Sequence, residues 1–307
     1  MKVRIVCSGT KANFNFEIHQ AFIYDQIQSI IKLDSSVQFE YFFIEKGGLS
    51  GYFNAWRSLV KEQKQNPCNL IHAHGGLPAL LSVMQFKEPV VSTFHGSDMN
   101  KSKVKWFSAV ASFLSKKSIY VSQNLLNKAI IRGKAEVIPC GVDLDLFKSL
   151  NMHECRKLLG LDSSKKYVLF SSAFDNPVKN FGLLKDALEL WPENPPEVIE
   201  LKGVRRESVP FYMNAANVCV LTSFSEGSPQ FVKEAMACNR PVVATNVGDI
   251  SELFGNSINC RFTTFEPSKL YEILFSLVEK DESNGRSQMQ NYELGKIASQ
   301  VLTIYQD

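Results

Sequence analysis

No segment of the 307-residue chain comes near the roughly 18 consecutive apolar residues that a membrane-spanning helix needs. No Gly-x-Gly-x-x-Gly occurs, so the dinucleotide fingerprint is missing and a nicotinamide oxidoreductase is disfavoured. The cysteines (Cys7, Cys68, Cys140, Cys155, Cys219, Cys238 and Cys260) are odd in number and contain no Cys-x-x-Cys pair. That argues against a zinc site or a disulfide framework, and for thiols packed as small apolar groups in a reducing compartment. Basic and aromatic residues nowhere form an RNA-binding motif, so no nucleic-acid partner is expected. Met1–Cys7 is one strand long and enters a polar loop, unlike a secretory leader, so a cytoplasmic protein is expected.

What is present is ordinary globular composition, with 45% hydrophobic and 21% charged residues, enough for one large or two medium domains. The net charge of +3 hides an asymmetry. Residues 1–145 carry 17 Lys/Arg against 11 Asp/Glu, and residues 146–307 carry 17 against 20. A basic first half suits an anionic lipid surface or an anionic substrate.

Strand and helix patterns alternate twice along the chain. Val3–Cys7 is an apolar strand that opens into Ser8-Gly9-Thr10. A helix is expected over Phe14–Leu33, a strand over Val37–Ile44 and a helix over Tyr52–Lys64. The strands Asn69–His74 and Pro89–Phe94 each finish in histidine: His72 and His74 on one, His95 just past the other. The helix Ser102–Lys117, the strand Ser118–Val121, the helix Gln123–Arg132 and the strand Ala135–Ile138 complete the first series. Pro139–Phe147 is a Pro/Gly-bearing connector. The second series runs from Tyr167–Ser172 through the Asn180–Leu190 helix, the Val198–Lys202 strand and the Val209–Ala216 helix. Helices over Leu270–Lys280 and Met289–Tyr305 follow later. Alternation of this kind predicts two doubly wound α/β domains facing each other across a cleft.

The most informative stretch is Val218–Phe254. Val218–Thr222 is a short β-branched run, hence a buried parallel strand. Ser228 is a suitable N-cap and Pro229 a suitable first helical residue; Phe231, Val232, Ala235 and Met236 then share one face. Pro241–Thr245 is the next strand. Gly248 gives a turn, and Asp249 with Glu252 fits a capping box. Ligands of open α/β sheets bind at the carboxyl ends of the strands, and a helix start there offers N–H groups and positive dipole to an anion. Glu226 and Glu234 bracket that helix start. Carboxylates beside an anion seat suit a ligand that also carries hydroxyls, such as a ribose or hexose.

These residues resemble a known family. Glu226-Gly-Ser-Pro…Glu234-Ala-Met-Ala-Cys, then Pro241-Val-Val-Ala-Thr and Val247-Gly-Asp, is similar to the E-x7-E signature of family 4 (group 1) retaining glycosyltransferases of the GT-B fold. Val137–Phe147 resembles the family's interdomain connector, Asp175-Asn-Pro-Val-Lys179-Asn180 its basic phosphate loop, and Ile71–His74 and Thr93–Asp98 its first-domain strand ends. The resemblance covers nearly the whole chain in order. It implies two Rossmann-like domains: 1–143 on the acceptor side, joined by a C-terminal helix of about 289–307 crossing back to it, and 144–288 binding the nucleotide sugar. It implies a metal-independent enzyme with no cofactor, whose partners are a nucleoside-diphosphate sugar and a saccharide or lipid-linked acceptor. Position by position, it implies that Glu234 holds the ribose and Glu226 the transferred sugar, helped by Gly227, Ser228 and Pro229. Lys179 neutralises the diphosphate, and the Lys202-Gly203-Val204 backbone lies near the base. His95 sits over the donor sugar, and Gly9 lets the first loop approach the phosphates. One departure stands out: the family's Gly-Arg before the basic loop is Ser172-Ala173 here, so one cation is missing, with Arg205 or Arg206 as the candidate substitute.

Other classes share parts of the pattern. A non-hydrolysing nucleotide-sugar epimerase has the same fold, and a non-catalytic nucleotide-binding module is favoured by Ala173. His72 and His74 read as structural, and Asp143-Leu-Asp145 as a turn and cap rather than a metal motif. The basic, aromatic helix Lys101–Lys117 has two readings: a solvated basic face over a buried apolar stripe, or a face for peripheral contact with the inner surface of a membrane.

Overall fold

The computed structural model describes residues 1–96, 99, 102–280 and 282–307. Ser97, Asp98 and Lys101, each part of a segment singled out above, lie outside the described residues. The chain forms two units, one of residues 1–141 with 294–307, the other of residues 142–293.

In chain order the first unit contains β1 (Lys2–Ser8), α1 (Phe16–His19), α2 (Ala21–Leu33), β2 (Gln38–Ile44), α3 (Gly48–Gln65), β3 (Leu70–His74) and α4 (Gly76–Val83). It continues with β4 (Val90–Phe94), α5 (Ser102–Leu114), β5 (Lys117–Tyr120), α6 (Gln123–Lys128) and β6 (Ala135–Val137). The six strands form one sheet in the order β2-β1-β3-β4-β5-β6, parallel throughout. β3 and β4 are buried along their whole length, as strands covered on both faces must be.

The second unit contains α7 (Met152–Leu159), β7 (Tyr167–Phe170), a 3₁₀ turn (Pro177–Lys179), α8 (Phe181–Leu188) and β8 (Glu197–Glu200). Then come α9 (Val209–Ala215), β9 (Val218–Leu221), α10 (Gln230–Ala237), β10 (Val242–Thr245), α11 (Ile250–Phe254), β11 (Cys260–Thr263), α12 (Pro267–Leu277) and α13 (Gly285–Met289). Its sheet is also parallel, in the order β11-β10-β9-β7-β8. The last helix, α14 (Leu294–Gln306), belongs to the first unit. Ile297, Val301, Ile304 and Tyr305 of this helix pack with Val3, Ile5, Ile27 and Ile30 in one buried cluster.

Several elements differ from the sequence expectations. The single helix expected over Phe14–Leu33 is two, because Gln20 takes a non-helical backbone (φ −133°, ψ 37°). Phe16 thereby packs its ring against Tyr24, Tyr41 and Phe43. α7 and β11 were not expected. α7 is a polar sequence held by one apolar anchor, Cys155, and by Arg156, whose guanidinium reaches the Ala215 carbonyl and Asn217. The expected basic helix ends at Leu114, and a strand begins at Lys117.

Candidate active site

The loops after the second unit's adjacent strands are joined side chain to backbone. After β9, the Thr222 hydroxyl reaches the carbonyls of Lys179 (2.8 Å) and Asn180 (2.9 Å) in the loop after β7. The Phe224 N–H donates to the Val178 carbonyl (2.9 Å), and the Phe174 N–H donates to Glu200 at the end of β8 (2.8 Å). After β10, the Thr245 hydroxyl donates to the Ser223 carbonyl (2.7 Å). Four neighbouring strands thus present one fixed rim at their carboxyl ends, where α/β sheets bind ligands.

On that rim stands Glu226. Its Oε1 accepts from Lys179 Nζ and from the Ser223 hydroxyl, both at 2.6 Å. The Lys179–Glu226 pair is largely buried, with 22% and 14% of the two side chains exposed. The start of α10 lies four residues on. Pro229, not Ser228, is its N-cap, and no side chain caps it. The expected capping by Ser228 does not occur because its hydroxyl donates to Asp249 Oδ2 (2.6 Å). Asp249, at the N-cap position of α11, likewise makes no side-chain cap. Burial pushes the Asp249 carboxyl up, while the Lys233 ammonium and the Ser228 hydroxyl pull against it. Asp249 Oδ1 is buried with no hydrogen-bond partner among the described residues. Gly248 has φ +66°, and a Cβ there would stand 2.9 Å from the Gly227 carbonyl oxygen, so glycine is required for the two loops to touch.

Glu234 lies one turn into α10, almost fully buried, and is ion-paired with Arg206. The Arg206 guanidinium also sits 4.6 Å over the Phe147 ring. Arg206, a candidate substitute for the missing cation, is therefore engaged with Glu234 and Phe147. Lys202 pairs with Asp175 (3.2 Å) and is exposed; Gly203 has φ +66° with open space around it, and Val204 packs against the second unit's core. The structure thus gathers Lys179, Glu226, Gly227, Ser228 and Pro229 on one rim. It adds Ser223 and Asp249, which sequence reasoning missed. Ser223 follows a strand and Asp249 a glycine turn, and nothing in either signal names the partner. The Arg206–Glu234 pair spans 28 residues and was likewise invisible.

His95 and Gly9 belong to the first unit. His95 Nε2 lies 3.0 Å from His74 Nδ1, and its ring leans on Phe22 with centroids 4.8 Å apart. His72 contacts the Tyr305 hydroxyl (2.5 Å) and the Thr93 hydroxyl (2.7 Å). Burial pushes the His72 pKa down to about 3, and burial with the neighbouring histidines holds His74 well below the usual range. Both are core residues; His74 contacts His95 directly, and the His72 ring packs on His74 with centroids 4.1 Å apart. A Cβ on Gly9 would meet Phe43 Cβ at 3.1 Å, so close packing accounts for this glycine. Asp143 accepts from the N–H groups of Asp145 and Leu146, both at 2.9 Å, a turn as expected. Among the described residues no group of three His, Cys, Asp or Glu is arranged to hold a metal ion. No described helix is long and apolar enough to cross a membrane.

Residues 2–146 match the family model described as Glycosyltransferase Family 4, and residues 182–279 match Glycosyl transferases group 1. A Bacillus subtilis protein, TuaC, named as a glycosyltransferase of teichuronic acid biosynthesis, is 31% identical over 232 residues, covering 64% of this chain. The match spans 59% of that relative's length. Sucrose-phosphate synthase from Thermosynechococcus elongatus superposes with a TM-score of 0.82 at 16% identity, over 99% of this chain and 98% of that one. Anabaena HepE, solved with UDP-glucose, does so at 0.78 and 18%, over 99% and 98%. The chain belongs to the group 1/family 4 glycosyltransferases and has their GT-B fold of two parallel-sheet α/β domains.

Proposed function

We propose that the chain is a metal-independent, retaining glycosyltransferase that moves a sugar from a nucleoside-diphosphate sugar to a saccharide or lipid-linked acceptor in glycan biosynthesis. The observation that carries the donor reading is the Lys179–Glu226–Ser223 cluster beside the uncapped start of α10. A leaving diphosphate must be stabilised electrostatically, and an ammonium plus a helix N-terminus supplies positive charge without a metal. In the ligand-free protein Glu226 holds Lys179 in place. With donor bound, Lys179 turns to the diphosphate and Glu226 accepts from the sugar hydroxyls. Glu234, fixed by Arg206, takes the ribose hydroxyls, and the Lys202–Val204 backbone borders the base. Gly227, Ser228 and Pro229 present backbone to the phosphates and sugar. His95 and Gly9 act from the first domain, residues 1–143, and residues 144–288 form the donor domain. Front-face attack gives the retaining outcome and needs no close carboxylate pair of the kind retaining hydrolases use. HepE's complex with UDP-glucose supports a uridine donor among the options.

The test is a thermal-shift panel of nucleoside diphosphates and their sugars. A ligand that binds only the native state raises its stability by mass action. At least one nucleoside diphosphate and its sugar are expected to raise the melting temperature; a flat panel overturns the reading. Incubating the stabilising donor without acceptor separates transfer from epimerisation, since an epimerase converts the donor on its own.

A further inference from the structure

Helix α5 packs in the opposite sense to the usual amphipathic helix. Its buried residues are small: Ser108, Ala109, Ala111 and Ser112. They fit against α4 because Gly76 leaves room; a Cβ there would stand 2.0 Å from the Ser108 hydroxyl. Its large apolar residues face outward: Trp106 is 63% exposed, Phe113 68%, and Phe107, Val110 and Leu114 more than 40%. The reading of this helix as a solvated basic face over a buried apolar stripe is overturned, because the stripe is on the outside.

The exposed face extends beyond α5. Between α3, α4 and α5 lies an open groove of about 580 Å³, walled by Leu49, Tyr52, Phe53, Trp56, Met84 and Phe107. Leu49 is 93% exposed, and Phe86, beyond α4, is 78% exposed. An apolar patch of this extent on one face marks an interaction surface.

The charge of the segment that carries this face points to the partner. Residues 45–117 carry ten Lys/Arg against four Asp/Glu, whereas the rest of residues 1–145 is balanced at seven against seven. The whole positive surplus of the first half therefore sits on the segment that presents the apolar face. Two copies meeting through this face would bring two net-positive segments together. An anionic bilayer matches both features: its headgroups take the lysines and its acyl boundary takes the aromatic and leucine side chains.

We propose that the α3–α4–α5 face docks on an anionic membrane surface, with Leu49, Phe53, Trp106 and Phe113 entering the interface. The inference does not rest on the donor reading, because nucleotide binding tests a different unit. The full chain should float with equimolar phosphatidylglycerol/phosphatidylcholine vesicles, and not with phosphatidylcholine alone. Combined Leu49→Glu, Trp106→Glu and Phe113→Glu should cut the floated fraction by about tenfold or more, since both apolar and charge attraction are lost. Brominated acyl chains should quench tryptophan fluorescence of the unmodified protein, which needs no variant. No flotation, no quenching, equal flotation on neutral vesicles, or an undiminished triple variant each overturns the proposal. So does a wild-type dimer by light scattering that the triple variant dissolves, since the occupant would then be a second copy.

Discussion

Glu226 accepts from Lys179 and Ser223 at one oxygen, and all three side chains sit on a rim whose backbone is tied from below. Such a pair is costly to halve: removing one partner leaves the other charge poorly solvated. A binding ligand must therefore replace what it displaces; on the donor reading proposed above, a diphosphate does so for Lys179 and a sugar hydroxyl for Glu226. Glu234 is held differently, by an arginine that is itself stacked on Phe147, so its carboxylate is aimed rather than merely neutralised. In the first unit the buried His72 and His74 make stability depend on pH. Their folded-state pKa values lie below the ordinary 6.5, chiefly through burial. Between about pH 3 and 6.5 the unfolded chain binds protons that folded His72 does not, so stability rises with pH in that window and is lost as pH falls. Each histidine contributes roughly 1.4 kcal/mol per pH unit once well below its unfolded value. Glu40 adds to the loss further down: burial raises it, but hydrogen bonds from Arg4, Asn66 and Lys2 outweigh that and hold it at about 2, from 4.5. Asp249, pushed up by burial, has the opposite sign in the carboxylate range. Urea midpoints are expected to change little from pH 7.5 to about 6.5 and to fall progressively from there to pH 5; a flat profile would show that the buried histidines do not titrate as their surroundings require.

At the scale of elements, α4 and α5 depend on a small-residue contact. Gly76→Val places a branched side chain where the Ser108 hydroxyl, Ser108 Cβ and Val104 already stand, the last two 3.2 Å from a single Cβ. Overpacking of this kind costs about 1–3 kcal/mol, read as a lower thermal midpoint. An unchanged midpoint would mean that α5 is free to move off the sheet. Most strands and helices were legible from apolar runs and periodicity, because parallel strands buried on both faces cannot hide their composition. Two kinds of element were not. α7 carries its anchoring in one arginine and one cysteine, a pattern too sparse for periodicity. α5 has a strong periodicity whose direction sequence could not give, since burial of its small face depends on Gly76, 32 residues before Ser108. The start of α10 was read one residue early, because Ser228 found Asp249, a partner on another loop.

Over the whole molecule, the two units differ in charge as well as content. The first carries the basic, apolar-faced segment, and the second carries the rim with Lys179 and Glu226 and, inside α10, the Glu234–Arg206 pair. The sequence places Lys179 and Glu226 in loops that follow strands, and the structure has them there. It did not show that Lys179 and Glu226, 47 residues apart, form one pair, nor that Arg206 is committed to Glu234. On the proposed donor reading, Lys179 is the cation that takes the diphosphate. The direct test is isothermal titration of wild-type and Lys179→Ala protein with the nucleoside diphosphate that most stabilises the wild type. Loss of a hydrogen bond to a charged group, worth roughly 1.5–3 kcal/mol, predicts affinity weaker by at least about tenfold. Equal affinity in the two proteins would contradict the placement of the diphosphate at Lys179.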